Sequence, residues 1–432
     1  MFGLLLQAMY DMVDMIWIGF ISPAAVAATT IFITLFWLVE VLNEVVGTSS
    51  VSVISQSFGT KDMAKTQLAA EQTLLFKFVL ACLGALVLGL LLEPAYRLYT
   101  DDPQVIAYGL EYGMIRVVFI PIFFSSYSVN TIFRCTGDAK TPMKLLIVAA
   151  ITNLIGDPLL MFDVIPGTQI HGLGWGMAGA AIATVGSITL SFLVGFILLL
   201  KGKAPIRIRF SKLFRLHPET DRKLFMVGLP AGANLLFRNI ATFVVLKLVA
   251  THGTTAIAVV GIATRVYQFG MMPGWGISMG SGIIIGHNLG ANLPERALKA
   301  VHLSTLDCLL FVSLIAIPIM LFPSQTLSLF MGGAAVPGEG VLLLRIMGPC
   351  LLMGAAMSGF GAAFNGSGDN KPILYSSLLS QWVLMVPYAL IVTLVFKLPV
   401  TWLWFAYLIG DGSEFLSRWF FYRKKTWLSN RV

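Results

Sequence analysis

Apolar residues run along this chain in long blocks, separated by short polar turns. Stretches such as LLFKFVLACLGALVLGLLL and AAIATVGSITLSFLVGFILLL match the roughly 20 residues that an α-helix needs to cross a hydrocarbon layer. Spanning strands would alternate over about ten residues, and these blocks do not alternate. The pattern predicts twelve helices, over roughly 1–20, 26–57, 69–92, 104–133, 142–163, 175–200, 222–250, 256–288, 296–321, 338–364, 372–396 and 401–421.

Composition supports the pattern. Of 432 residues, 57% are hydrophobic and 12% charged, with a mean hydropathy of +0.84. A soluble domain carries about a quarter charged residues. The fold class is therefore all-α integral membrane. No cleavable leader pattern of basic, apolar and small-residue regions opens the chain. Most of the 29 Lys and Arg fall in alternate loops, while Arg97 and Lys397 stand alone on the other side. The expected location is a prokaryotic cytoplasmic (inner) membrane, crossed many times, and the bias predicts both termini in the cytoplasm. It also accounts for the net charge of +8 without a nucleic-acid partner.

Several chemistries find no support. The four cysteines, Cys82, Cys135, Cys308 and Cys350, lie far apart with no CxxC or metal-ligand spacing. No phosphate loop with its lysine is present, and no nucleophile–base pair stands within a helix. An enzyme is not expected, nor a resident cofactor.

The chain repeats itself. FRCTGDAKTP from Phe133 and FNGSGDNKP from Phe364 share an offset of 231 residues, which pairs Gly137 with Gly368 and Asp138 with Asp369. The same offset aligns QSFGTKDMAKTQLA with HNLGANLPERALKA, and AAVAATT with TAIAVVG. An offset that spans six helices preserves orientation, so two parallel, pseudo-symmetric six-helix bundles are expected: 1–200, a basic cytoplasmic linker 201–221, and 222–432. Such duplication is typical of transporters. Pro230 has its counterpart just before Met1, so the chain is expected to begin inside its first helix, which is then truncated.

Polar residues inside the apolar blocks carry the chemistry. In NLIGDPLLMF, Asn153 and Asp157 are one turn apart and share a helix face. Tyr10 and Asp14 repeat that spacing. A carboxylate at membrane depth needs a polar partner, a proton or a metal ion. Two carboxylates in one low-dielectric site cannot easily both ionise. Such a pair would accept H+, or Na+ if enough oxygens converge; the alternative is two acids satisfied separately. Glu40, Asn43 and Glu44 share a face of the second helix. Basic Arg238, Lys247, Arg265 and Arg345 lie in the second half. The acids pair with these, meet a cationic substrate, or simply lie at the cytoplasmic or lipid interface. Trp37, Met271 and Trp275 are further candidates to line a substrate cleft. Asp411 and Glu414 are expected to face an aqueous end or a basic neighbour.

Twelve helices in two halves, VDMIWIG in helix one, VISQSFGTKDMAK closing helix two, FRCTGDAKTPM after helix four, and the echoes IIGHNLGANLPERA and FNGSGDNKP together resemble the multidrug and toxic compound extrusion (MATE) transporters. The resemblance covers essentially the whole chain. It implies export of amphipathic or cationic small molecules in exchange for H+ or Na+. Within the family, the DinF-like branch resembles this chain in its first half: Tyr10, Asp14, Asn130, Asn153, Asp157 and Thr184 match that branch's cation-coupling pattern. The NorM-like branch uses acids in helices seven and ten. Here Arg238 stands near the first of those positions, and helix ten offers only Glu339 at its edge.

The expected function is a cation-coupled efflux antiporter working by alternating access. The alternative is a lipid-linked precursor flippase of related two-lobe fold, which a basic cavity around Arg238, Lys247 and Arg265 would favour. The partners expected are a small-molecule substrate and membrane lipid, and the protein is expected to be a monomer. No metal site is foreseen beyond a possible Na+ at Asp14 and Asp157.

Overall fold

The structure, a computed structural model, describes residues 2–210, 213, 215–331 and 338–432; of residues 2–9, 11 and 331 it describes the backbone alone. It is helical, with one isolated antiparallel bridge between Val164 and His171. Among the described residues nine helices are long and apolar enough to cross a bilayer, or ten if a bent pair counts as one. The remaining two of the twelve, the first and the last, carry acidic residues in their spans.

The first unit, Phe2–Gly228, contains α1 (Phe2–Gly19), α2 (Pro23–Gly59), α3 (Met63–Tyr99), α4 (Pro103–Val118), α5 (Ile120–Cys135), α6 (Lys140–Met161) and α7 (Gly176–Leu200). Helices α4 and α5 form one span bent by 49° at Phe119. Pro121 explains the break, because its ring lacks an N–H and clashes with the carbonyl four residues earlier. Phe32, Tyr96, Tyr112 and Phe124 anchor this unit's core. The Tyr96 hydroxyl donates to the Ala28 carbonyl at 2.7 Å, which satisfies a phenol that would otherwise be costly to bury.

The second unit, Leu229–Val432, receives α8 (Pro218–Ala250), which starts in the first. It continues with α9 (Thr254–Gly290), α10 (Pro294–Leu321), α11 (Pro323–Met331), α12 (Gly338–Ser367), α13 (Lys371–Ser377), α14 (Val386–Leu390), α15 (Val400–Leu403) and α16 (Phe405–Arg423). Helices α13 and α14 belong to one span, Lys371–Val395, interrupted by two π-helical stretches, Leu378–Met385 and Ile391–Val395. Gly354, Ala355, Gly359, Ala362 and Ala363 keep α12 slim, so α9 and α10 pack closely on it.

The internal repeat is structural. α2 and α9 are both 37 residues long and start and end 231 residues apart. The same offset relates the ends of α1 and α8 and the starts of α3 and α10. It also relates the left-handed turn residues Lys61 (φ 61°) and Asn292 (φ 56°), and Gly137 (φ 93°) and Gly368 (φ 77°). Gly is required at the latter pair because a Cβ opposes that conformation.

The basic segment after α7 is only partly solvated. Ala204, Ile206 and Ile208 are buried, while Arg207 and Arg209 between and beyond them are exposed. Two buried side chains of α3 pin the backbone. Glu71 Oε1 accepts from the Arg209 N–H at 2.9 Å. Gln72 accepts from the His217 N–H at 2.9 Å and donates to the Arg215 carbonyl at 2.8 Å. Lys212, also expected in this run, lies outside the described residues.

Candidate functional site

Four buried polar residues converge in the first unit where α1 packs against α6 and α7. Asp157 is 0% exposed, Asn153 1%, Thr184 2% and Asp14 7%. The one-turn spacing within α6 works as the sequence predicts: Asn153 Nδ2 donates to Asp157 Oδ1 at 2.9 Å. The Asp14 and Asp157 carboxyl groups lie within hydrogen-bonding reach of each other. Tyr10, one turn before Asp14, reaches across to Ser187 of α7. Thr184 donates to the Ala180 carbonyl of its own helix at 2.9 Å, and Ser187 to the Thr184 carbonyl at 2.8 Å. Asn130 is half-buried on α5; among the described residues it makes no hydrogen bond to the acids. The structure thus joins Asp14, Asn153 and Asp157 directly and sets Tyr10 and Thr184 at the α7 side.

Sequence reasoning missed Arg116. It stands at the end of α4, beside the break at Phe119, and interacts electrostatically with both Asp157 and Tyr10. Its Nη1 donates to the Tyr112 hydroxyl at 3.2 Å, and the guanidinium lies 5.9 Å from the Phe32 ring and 5.6 Å from the Tyr112 ring. A signal existed: Arg116 is one of few basic residues inside an apolar block, and Tyr112 precedes it by one turn.

The second-helix acids meet a cation within their own unit. Asn43 donates to Glu40, and Thr48 donates to Glu44 at 2.5 Å. Lys77 of α3 interacts electrostatically with both acids and lies 5.8 Å from the Tyr127 ring centre. At 2% exposure it does not snorkel; it is the counter-charge of that face. Among the cleft candidates, Trp37 is 51% exposed and Trp275 43%, and Arg265 is exposed. Met271 is 2% exposed and packs in the core of the second unit. It therefore fills the core instead of lining an open surface.

The second unit holds a different cluster. Glu414 of α16 is 1% exposed and lies between Arg418, one turn on, and Arg238 of α8, whose Nη1 is 3.6 Å away. Ser380 donates to Glu414 Oε2 at 3.5 Å, and the Gln381 side chain also interacts with Glu414. Both come from the first π-helical stretch, whose wider turn brings successive side chains towards α16 and α8. Asp411, one turn before, interacts with Cys350 and Arg238. Glu414 thus has the basic neighbour its sequence position suggests. The same residues show that buried acids exist in this half, on the last helix instead of on helices seven and ten.

A membrane-depth pair of carboxyl groups in one lobe and an arginine-clamped carboxylate in the other, within a duplicated helical framework, define a membrane transporter of two-lobe architecture. The MatE family model matches residues 1–159 and 230–391, and the chain belongs to that family, the multidrug and toxic compound extrusion transporters. It is 27% identical over 408 residues to the Probable multidrug resistance protein YoeA of Bacillus subtilis (strain 168), covering 93% of this chain and 86% of that protein. It is also 27% identical over 323 residues to a FAD transporter of Shewanella oneidensis, covering 74% of this chain and 70% of that one. Among solved structures, a MATE protein in the bent conformation superposes with a TM-score of 0.89 at 22% identity, over 98% of this chain and 92% of that one. These neighbours share the twelve-helix, two-lobe fold. The protein is a multi-pass membrane transporter.

Proposed function

We propose that the protein exports organic small molecules, amphipathic or cationic ones among them, in exchange for an entering cation. Asp14 and Asp157 form the coupling site, as in the DinF-like branch. The observation that carries this reading is the contact between the two carboxyl groups, one from α1 and one from α6, both buried at membrane depth. Two carboxyl groups form a hydrogen bond only when one carries a proton. The arrangement therefore fits H+ most directly, and Na+ would take the proton's place among the same oxygens. Loading the pair removes repulsion between α1 and α6, and unloading restores it, which gives the bundle two states. A membrane potential adds about 2.3 kcal/mol per charge per 100 mV. The relatives' names, a multidrug resistance protein and a FAD transporter, support an organic cargo. Glu40, Glu44 and exposed Trp37 on α2 are the first-lobe contacts for a cationic group. The termini and the basic segment face the cytoplasm on the charge bias of the loops.

The test is dye efflux from cells, with the proton and sodium gradients collapsed in turn. Collapse of one gradient should stop export by the wild type. Asp157→Asn keeps the hydrogen-bonding shape but removes the charge change, so it should reach the membrane at normal abundance and export no more than empty cells. Full efflux by Asp157→Asn would sink the assignment.

A further inference from the structure

We propose that the second lobe carries a binding site for an oxyanion attached to a flat aromatic body, with Arg238 holding the phosphate or carboxylate and the Phe237–Trp382 pair holding the ring. Arg238 lies deep in its span, 12 residues before the end of α8, or about 18 Å along the axis. At that depth a charged group faces protein, water or ligand and not lipid, and a lipid head group does not reach it. Its side chain is nonetheless 38% exposed.

The neighbouring acids do not use up its donors. Glu414 meets Arg238 at 3.6 Å, beyond hydrogen-bonding distance, while Arg418 and Ser380 donate to the carboxylate. Asp411 and Tyr267 also face the guanidinium, but among the described residues Arg238 donates no side-chain hydrogen bond. A guanidinium has five N–H donors in a planar fork that matches phosphate or carboxylate oxygens in pairs. One such fork therefore stands open, at a depth where few water molecules can satisfy it.

The aromatic half of the site is built and fixed. Phe237, beside Arg238 in α8, is 39% exposed and meets Trp382 edge to face, with ring centres 6.4 Å apart at 83°. The Trp382 indole N–H donates to the Phe237 carbonyl at 3.2 Å, which sets the ring's orientation before any ligand arrives. The π-helical stretch over Leu378–Met385 supplies Gln381 to Glu414 and Trp382 to α8. π-Helical insertions are concentrated at functional sites.

This site goes beyond the export reading and is tested by binding, with no gradient present. The probes are flavin mononucleotide and riboflavin, which share the ring and differ by a phosphate, added to purified full-length protein in detergent and read by flavin fluorescence. The wild type should bind flavin mononucleotide about tenfold more tightly than riboflavin, the worth of one charge-assisted hydrogen bond. Arg238→Gln should bring flavin mononucleotide down to the riboflavin level and leave riboflavin unchanged. It should fold, because Glu414 keeps Arg418, and an unchanged melting temperature checks that. Asp411→Asn, which removes a competing carboxylate, should tighten flavin mononucleotide binding severalfold. Equal affinity for the two probes, no measurable binding of flavin mononucleotide, or full phosphate preference in Arg238→Gln would overturn the proposal. Loss of ion-driven efflux in Asp157→Asn leaves it standing.

Discussion

The two lobes descend from one repeated framework and solve the problem of buried charge in opposite ways. The first brings two carboxyl groups together. The second sets one carboxylate between two guanidinium groups. A pair of acids has room for one mobile cation, so its charge state changes with what enters. An acid clamped by Arg418 and Arg238 already holds its positive charge, and with Asp411 beside Arg238 the formal charges of that cluster balance. The helices differ in the same sense. The α4–α5 span breaks by 49° beside Arg116, whereas α12, at the equivalent place, runs unbroken through Pro349. The first lobe is built with a bend next to its acids, and the second with a rigid, small-residue centre.

The sharpest way to break this contrast is to neutralise one acid on each side. Glu414→Gln should cost about 3–5 kcal/mol of stability, because it leaves the buried Arg418 guanidinium without its carboxylate; a large fall in melting temperature in detergent checks this. Asp157→Asn should change the melting temperature little or raise it, because it relieves the contact between like groups. Equal losses in both variants would show that the two clusters are of one kind.

A smaller effect tests the repeat. Gly137 and Gly368 both take positive φ in the turn that opens the next helix. Gly137→Ala and Gly368→Ala should each cost about 1 kcal/mol or somewhat more. Nothing lies within 4 Å of a Cβ built at Gly137, so its loss would be backbone strain alone. Thermal melts of the two variants compare them directly.

The smallest effect separates the aspartates that follow those glycines. Burial pushes Asp138 slightly up, but the Thr141 hydroxyl and the Lys140 and Thr141 amides outweigh it and hold the carboxyl below its usual range. Asp369 is pushed up by burial, with Lys371 only partly opposing. A lowered value in the folded state gives stability that is present above the unfolded carboxylate pKa and lost as pH falls through the folded one. A raised value works the other way: ionised Asp369 weakens the fold at neutral pH, and that penalty lifts as pH falls. Asp138→Asn should therefore lower the melting temperature by a degree or so at pH 7, and the loss should shrink as the pH falls below the ordinary carboxylate range. Asp369→Asn should be neutral or slightly stabilising at pH 7. Matching shifts in both would erase the distinction between the turns.

The helical class, the apolar spans and the 231-residue repeat are legible in the residues alone. These depend on local quantities: hydropathy over about 20 residues, turn chemistry at Gly137 and Gly368, and helical spacing at Asn153 and Asp157. Each is fixed within one turn or one span, so it can be read without knowing what packs where. Tertiary structure decided the pairings. That Asp14 meets Asp157, that Lys77 answers Glu40 and Glu44 within their own lobe, and that Met271 is core depends on which helix faces face one another. The role of Arg116 depends on tertiary structure too, which brings the end of α4 within electrostatic reach of Tyr10 and Asp157. The clamp on Glu414 depends on α8 and α16 packing together, and the Ser380 contact adds a π-helical widening that carries no periodic mark in an evenly apolar segment. Apolar helices expose little contrast around their circumference, so hydropathy says that a segment spans and not which face is buried; only packing against specific neighbours selects the face.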